Sequence, residues 1–321
     1  MPRRLSSAII VAMIVAGWLG VRSAAQQTPT DAGRGQAPTA AQPATGGQPP
    51  AGQGRGRGGG FRQPDPIDFQ EHDGWTSLFD GQTLKGWSGD QNWKVEDGAI
   101  TIESTCEKPT GTVYLVWQGG EAADFELKLE MKGTGNINGG VQYRGWIAPR
   151  PQRGAAPGAG GAAGARGAGG GRGPQDPCPS GAARGTAPDP KTEEQWNMWG
   201  PQYDFDAGNR FTGQFYEQST GRGIIAWKGQ AVRTEQGKNP RLIASLGESA
   251  VIDTYYKPNE WNELHIIAIG NHFTHILNGH LISIFVDEDA SRLVRKSGII
   301  GLEVEATGKL FTRNIWLKKL P

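Results

Sequence analysis

The chain has 321 residues, 36% hydrophobic and 20% charged, with 33 Lys and Arg against 32 Asp and Glu. The near-neutral total hides a partition: residues 1–66 carry 7 basic against 2 acidic groups and residues 147–192 carry 6 against 2, leaving 20 against 28, a net of −8, on the other 209 residues. An acidic folded part argues against a nucleic-acid-binding face, and the two cysteines, Cys106 and Cys178, have no CxxC spacing that would make a metal site.

The first 25 residues read as an export signal: Arg3 and Arg4, an apolar run from Ala8 to Val21, and Ser23-Ala24-Ala25 as a small-residue cleavage site. The run is short for a membrane span of about 20 residues, so no integral span is expected, and the protein is placed outside the cytoplasm, periplasmic or extracellular. Residues 26–66 are Gln, Pro, Gly, Ala and Arg, and a segment with so few large apolar groups cannot offset its ordering entropy. It reads as a disordered linker. Residues 147–192 are a second low-complexity stretch; the two regions together hold 24 of the 50 Gly and 16 of the 21 Pro. The pattern is therefore one domain, 67–321, with an insertion. In an exported chain Cys106 and Cys178 could pair, but Cys178 lies in the insertion and spacing does not fix their distance.

The folded part opens with SLFDGQTLKGW, Ser77 to Trp87, and WKVEDGAI, Trp93 to Ile100. Each Asp-Gly marks a chain reversal, since Gly accepts the positive φ of a tight turn, while Trp87 and Trp93 pack. In DFELKLEM, Phe125, Leu127, Leu129 and Met131 alternate with Glu126, Lys128 and Glu130, the pattern of a half-buried strand. NGGVQYRG puts Gln142 and Arg144 on one face and Val141 and Tyr143 on the other; QYDFD puts Gln202, Asp204 and Asp206 opposite Tyr203 and Phe205. In GQFYEQSTGRG, Tyr216 and Glu217 take opposite faces; Tyr216 is the preferred lining residue, with Glu217 in reserve and Arg222 a surface charge.

Trp146, Trp196 and Trp199 flank the insertion and can stack sugar rings, whereas Trp261 and Trp316 are expected to pack. The Asn278-Gly279 turn pairs Leu277 with His280 and His275 with Ile282. It sets His275 and His280 on one face and His272 on the other, a poor three-histidine site. No cofactor is expected, and a lone oxygen-ligated cation is left open. SGIIGLEVE and KLFTRNIWLKKL supply the last strands. Repeated strands without a helical stripe point to an all-β sandwich of two antiparallel sheets.

The ordered motifs SLFDGQTLKGW, WKVEDGAI, DFELKLEMK, NGGVQYRG, QYDFD, GQFYEQ, EWNELHIIAIGNHFTHILNGH, GIIGLE and RNIWLKKL resemble the 3-keto-disaccharide hydrolase domain family from about Asp73 to Leu320. The resemblance implies a concanavalin-like or laminin-G-like jelly roll whose concave sheet carries a carbohydrate site. It also implies a substrate oxidised at the sugar C3, whose ketone acidifies the C2 proton and allows elimination followed by hydration. On that reading Asp204 is base or acid, Arg144 clamps the enolate, and Gln142, Gln202 and Tyr216 hold the sugar. After the Gly-Leu pair the family often has Gln and His, where this chain has Glu303 and Glu305, a difference that bears on substrate and on activity. A non-catalytic carbohydrate-binding module and an interaction domain on a tether are the rival readings. An endo-glucanase is disfavoured by the lack of an EXDXXE-like strand.

Overall fold

The computed structural model describes residues 63–149 and 196–321. The export signal, most of the linker and nearly all of the insertion, Cys178 included, lie outside the described residues. Among the described residues the compact unit Pro64–Pro321 has seventeen strands, β1–β17 in chain order, and one five-residue helix, α1 (Ser249–Asp253).

Two sheets face each other. The large sheet runs β12 (Arg241–Ser245), β11 (Gln230–Glu235), β15 (His280–Glu288), β14 (His272–Leu277), β13 (Asn262–Ile269), β6 (Phe125–Gly135), β17 (Gly308–Lys319), β4 (Ala99–Ser104), β3 (Lys94–Glu96), with β1 (Thr76–Ser77) also on β17. The small sheet runs β10 (Gly223–Ala226), β9 (Phe215–Gln218), β8 (Met198–Asp206), β7 (Asn138–Ile147), β16 (Ile299–Glu305), β5 (Val113–Trp117), β2 (Trp87–Gly89). Pairing is antiparallel except between β11 and β15, which run parallel. The all-β sandwich of two sheets expected from alternation, and the jelly roll that the resemblance implies, is the fold observed.

The core is the set of inward residues that alternation picked out. Leu127, Leu129 and Met131 of β6 are fully buried against Val141 and Tyr143 of β7 and Tyr203 and Phe205 of β8, and Phe215 lies 4.5 Å from Phe285 between ring centroids. Each such side chain contributes about 1.5–3 kcal/mol when it leaves water.

Two local expectations divide. Asp97-Gly98, both at positive φ (49° and 75°), closes the two-residue hairpin between β3 and β4. Asp80-Gly81 closes no hairpin: Asp80 Oδ1 accepts from the N–H groups of Gln82 and Thr83, and the chain crosses from β1 in one sheet to β2 in the other. Trp87 and Trp93 are buried, with Trp87 Nε1 donating to the carbonyl of Leu78 at 2.7 Å.

β6 is covered on both faces, not half-buried. Lys128 Nζ donates to the carbonyls of Asp68, Phe69 and Glu71 at 3.2–3.4 Å and lies 4.6 Å from the Trp75 ring centroid. The segment before β1 is thereby tied over the outer side of the large sheet.

Candidate functional site

The outer face of the small sheet is concave. Gln218 Nε2 on β9 donates to the hydroxyl of Tyr114 on β5 at 3.0 Å, although β8, β7 and β16 lie between. Four strand spacings span about 19 Å in a flat sheet, more than the two side chains reach, so the sheet must curl toward this face. Tyr114 packs there with Val116 and Met198, and with the partly buried Trp196 and Ile299.

Register arranges the polar residues of this face in transverse rows. Tyr216, Gln202, Gln142 and Gly301 form one row across β9, β8, β7 and β16. Asp204, Gly140, Glu303 and Tyr114 form the next. Asp206, Asn138 and Glu305 form the third, where Asn138 Nδ2 donates to Glu305 Oε1 at 2.7 Å and Asp206 accepts from Arg210 N and Nε. Gln142, Gln202, Asp204 and Tyr216 therefore lie together on one face.

Gln142 is fully buried, and neither its Nε2 nor its Oε1 has a hydrogen-bond partner. A buried amide left unpaired costs about 1–3 kcal/mol, a cost that a partner reaching its donor and acceptor would relieve. Beside it Gln202 Nε2 donates to Glu303 Oε2. Gln214 Nε2 donates to Asp204 Oδ2 at 2.5 Å, while Gln214 Oε1 has no partner. Burial pushes the Asp204 carboxyl well above its usual range; Gln214 opposes the rise, and the charges of Glu305 and Asp206 add to it. Burial, followed by the carboxylates of Glu303, Asp204 and Glu305, also raises the Tyr216 hydroxyl.

Three expected site residues lie elsewhere. Arg144 does not share the face of Gln142. At φ 47° it sits in a bulge that shifts the β7 register between Gln142 and Trp146, and alternation fails there. Its guanidinium turns toward the large sheet: Nε donates to the Ala123 carbonyl at 2.7 Å, Nη1 to the Gly270 carbonyl at 2.6 Å and Nη2 to Asp124 Oδ1 at 2.8 Å, over the Phe273 ring. Arg144 thus pins one sheet to the other. Arg144→Met, which strands these acceptors, is expected to cost about 3–5 kcal/mol in denaturant unfolding; a loss below about 1 kcal/mol would contradict the pinning role.

Glu217 also points inward, bonded to Thr220 Oγ1 at 2.5 Å and 3.5 Å from Arg222 Nη1. Arg222 is no surface charge: its side chain is nearly buried and grips Asp287 through both Nη atoms at 3.0 Å. Trp146 stands in register with Trp199 at the end of β7, outside the three rows, with the Arg295 guanidinium 4.3 Å from its ring centroid.

The histidines separate too. A register shift after His275 pairs it with Ser283 rather than Ile282, and it is buried between the sheets. His280 is exposed and stacked on Tyr255 at 3.9 Å, and His272 is exposed. Among the described residues no group of three or more His, Cys, Asp or Glu is placed to hold a metal ion. Cys106 is disulfide-bonded. A separate cavity of about 640 Å³, lined by Asp124, Asn271, Asp287, Leu293 and Lys296 among others, shares no residue with the three rows.

Sequence reasoning missed Glu303 as a member of the site, along with Gln214, Tyr114 and Gln218. Glu303 was within reach of alternation, which places it with Gly301 opposite Ile300, Leu302 and Val304. The other three depend on curvature and on a loop.

Residues 74–318 match the model of the 3-keto-alpha-glucoside-1,2-lyase-like domain. No curated protein matches the chain. Among solved structures, a protein of Parabacteroides distasonis ATCC 8503 provisionally named a glycosyl hydrolase is 15% identical over 78% of this chain and 95% of its own, with a TM-score of 0.42. The carbohydrate-binding module CBM66 of Bacillus subtilis is 14% identical over 74% and 97%, with a TM-score of 0.39. A Bacillus licheniformis β-glucanase is 11% identical over 77% and 97%, also with a TM-score of 0.39.

Proposed function

The chain belongs to the 3-keto-alpha-glucoside-1,2-lyase-like domain family, and on that premise we propose that the concave groove binds a saccharide oxidised at C3 and opens its glycosidic bond by elimination followed by hydration. The observation that carries the reading is the buried, unpartnered amide of Gln142, a donor and an acceptor held ready beside Gln202 and Asp204. With Arg144 turned away, Gln142 Nε2 takes over the role of oxyanion donor, and Asp204 supplies the titrating carboxyl. Gln202 and Tyr216 contact the sugar hydroxyls. An exported location belongs to the same proposal; the disulfide at Cys106 supports it, since such bonds persist in oxidising compartments. No helix among the described residues is long and apolar enough to cross a membrane.

A second reading, a carbohydrate-binding module without chemistry, is favoured by one observation. The rows of Gln142 and Gly140 contain no Lys, Arg or His, so no cation among these residues stabilises an enolate. Product release from a 3-keto-disaccharide and from its unoxidised parent, with and without chelator, separates the two. Cleavage of the keto sugar alone is the expected result. Saccharide binding by the folded protein without any product would establish the binding module instead.

A further inference from the structure

We propose that Glu303 is the second catalytic carboxylate of this groove, acting as the base opposite Asp204, the acid, on a sugar seated over Gly140. The proposal rests on the elimination reading above and assigns its proton transfers.

Gly140 pairs with Asp204 on one side and with Glu303 on the other, so the two acidic side chains rise from the same face with their Cα atoms about 10 Å apart. Between them stands a residue with no side chain. It has to be glycine: its φ is 154°, and an added Cβ would lie 2.2 Å from the Tyr203 carbonyl oxygen and 2.9 Å from Gln202 Nε2. The space above Gly140 is crossed by the Gln202 amide, which donates to Glu303 Oε2 and fixes that carboxylate over the row. The two acids are equipped differently. Glu303 receives an N–H donor, the complement of an ionised carboxylate. Asp204 also receives an N–H, from Gln214 Nε2, but the charges of Glu305 and Asp206 beside it favour its protonated form. Burial acts in the same direction on Asp204. The unpaired amide of Gln142, one row away, is the independent sign that this face receives a ligand.

The steps balance without an oxidant. Glu303 takes the C2 proton, and the C–H electron pair moves onto the ketone oxygen as an enolate facing Gln142 Nε2. The enolate re-forms the ketone and the C1=C2 bond while the C1–O bond breaks, and the departing oxygen takes the proton of Asp204. Water then adds to C1, giving its proton back to Asp204, and Glu303 returns its proton to C2.

The test follows a 3-keto-disaccharide in heavy water by NMR, with the full chain as wild type, Glu303→Gln and Asp204→Asn, reading deuterium uptake at C2 and cleavage separately. Glu303→Gln is expected to lose both by about 10²-fold or more, and Asp204→Asn to lose cleavage while retaining exchange. If Glu303→Gln does not fold, Glu303→Asp, which withdraws the carboxylate by one methylene, is expected to lower both rates together with KM little changed. A Glu303→Gln protein cleaving within a few-fold of wild type overturns this proposal and leaves the elimination reading standing. Exchange that survives in Glu303→Gln but not in Asp204→Asn reverses the roles and overturns the assignment. Wild type that neither exchanges nor cleaves the keto sugar overturns both.

Discussion

Asp204→Asn is expected to melt at a higher temperature than wild type at neutral pH, and to do so while turnover is lost. Burial raises the Asp204 carboxyl far above its unfolded value of 3.8, against the opposing bond from Gln214 and with help from Glu305 and Asp206. The sign follows from proton counting. Above the unfolded value the folded state holds a proton that the unfolded state has released, so stability falls as pH rises through the folded pKa. Asparagine has no proton to lose, and its Oδ1 can go on accepting from Gln214 Nε2. The gain should therefore be near zero at about pH 3 and grow to a few degrees in Tm near neutrality, read by calorimetry across that range. A shift of equal size at every pH would mean that Asn relieves packing and not ionisation. The residue thus weakens the fold where it serves the chemistry, a trade common at catalytic groups.

The sequence makes the sandwich legible wherever alternation is strict. Leu127, Leu129 and Met131 of β6, and Tyr203 and Phe205 of β8, are inward as the period of two requires. The same rule brings Gln142, Gln202, Asp204 and Tyr216 to one face. It fails where the backbone leaves the extended region. Arg144, one residue past Tyr143, should face outward; its positive φ adds a residue to the strand and turns the guanidinium inward. Nothing local in NGGVQYRG marks that bulge, because the acceptors that hold it, Ala123, Asp124 and Gly270, are distant in sequence. Arg222 was hidden for the same reason: its partner Asp287 lies 65 positions on. Alternation fixes the face of Glu303 and the family pattern marks it as a departure, but its place opposite Asp204 depends on β16 pairing with β7.

His275→Gln is expected to cost stability at neutral pH and progressively less as the pH falls. His275 is buried between the sheets, among the rings of Tyr143, Tyr203 and Phe215. The Gly213 carbonyl, 3.1 Å from Nδ1, can only accept, so the ring's proton is on Nδ1 and Nε2 accepts from the Tyr143 hydroxyl at 2.7 Å. Burial pushes its pKa from 6.5 down to about 3, against the backbone bonds of Gly213 and Gln214. Between those values the unfolded chain takes up a proton that the folded ring refuses. The contribution is therefore complete above the unfolded value and lost as pH falls toward the folded one, on the order of 5 kcal/mol over the window. His265, also lowered by burial, adds a slope of the same sign and Asp204 one of the opposite sign, so the difference between variant and wild type is what isolates His275. Gln keeps an acceptor for Tyr143 but does not titrate, so its deficit in unfolding free energy relative to wild type should be large at neutral pH and shrink as the pH falls from about 6.5 to 4. An unchanged slope would place the acid sensitivity in other groups. Asp204, in the groove, loses stability as the pH rises above its unfolded value of 3.8, and His275, beneath it, loses stability as the pH falls below 6.5, so between those values the two slopes oppose each other and neither variant alone reads the whole curve.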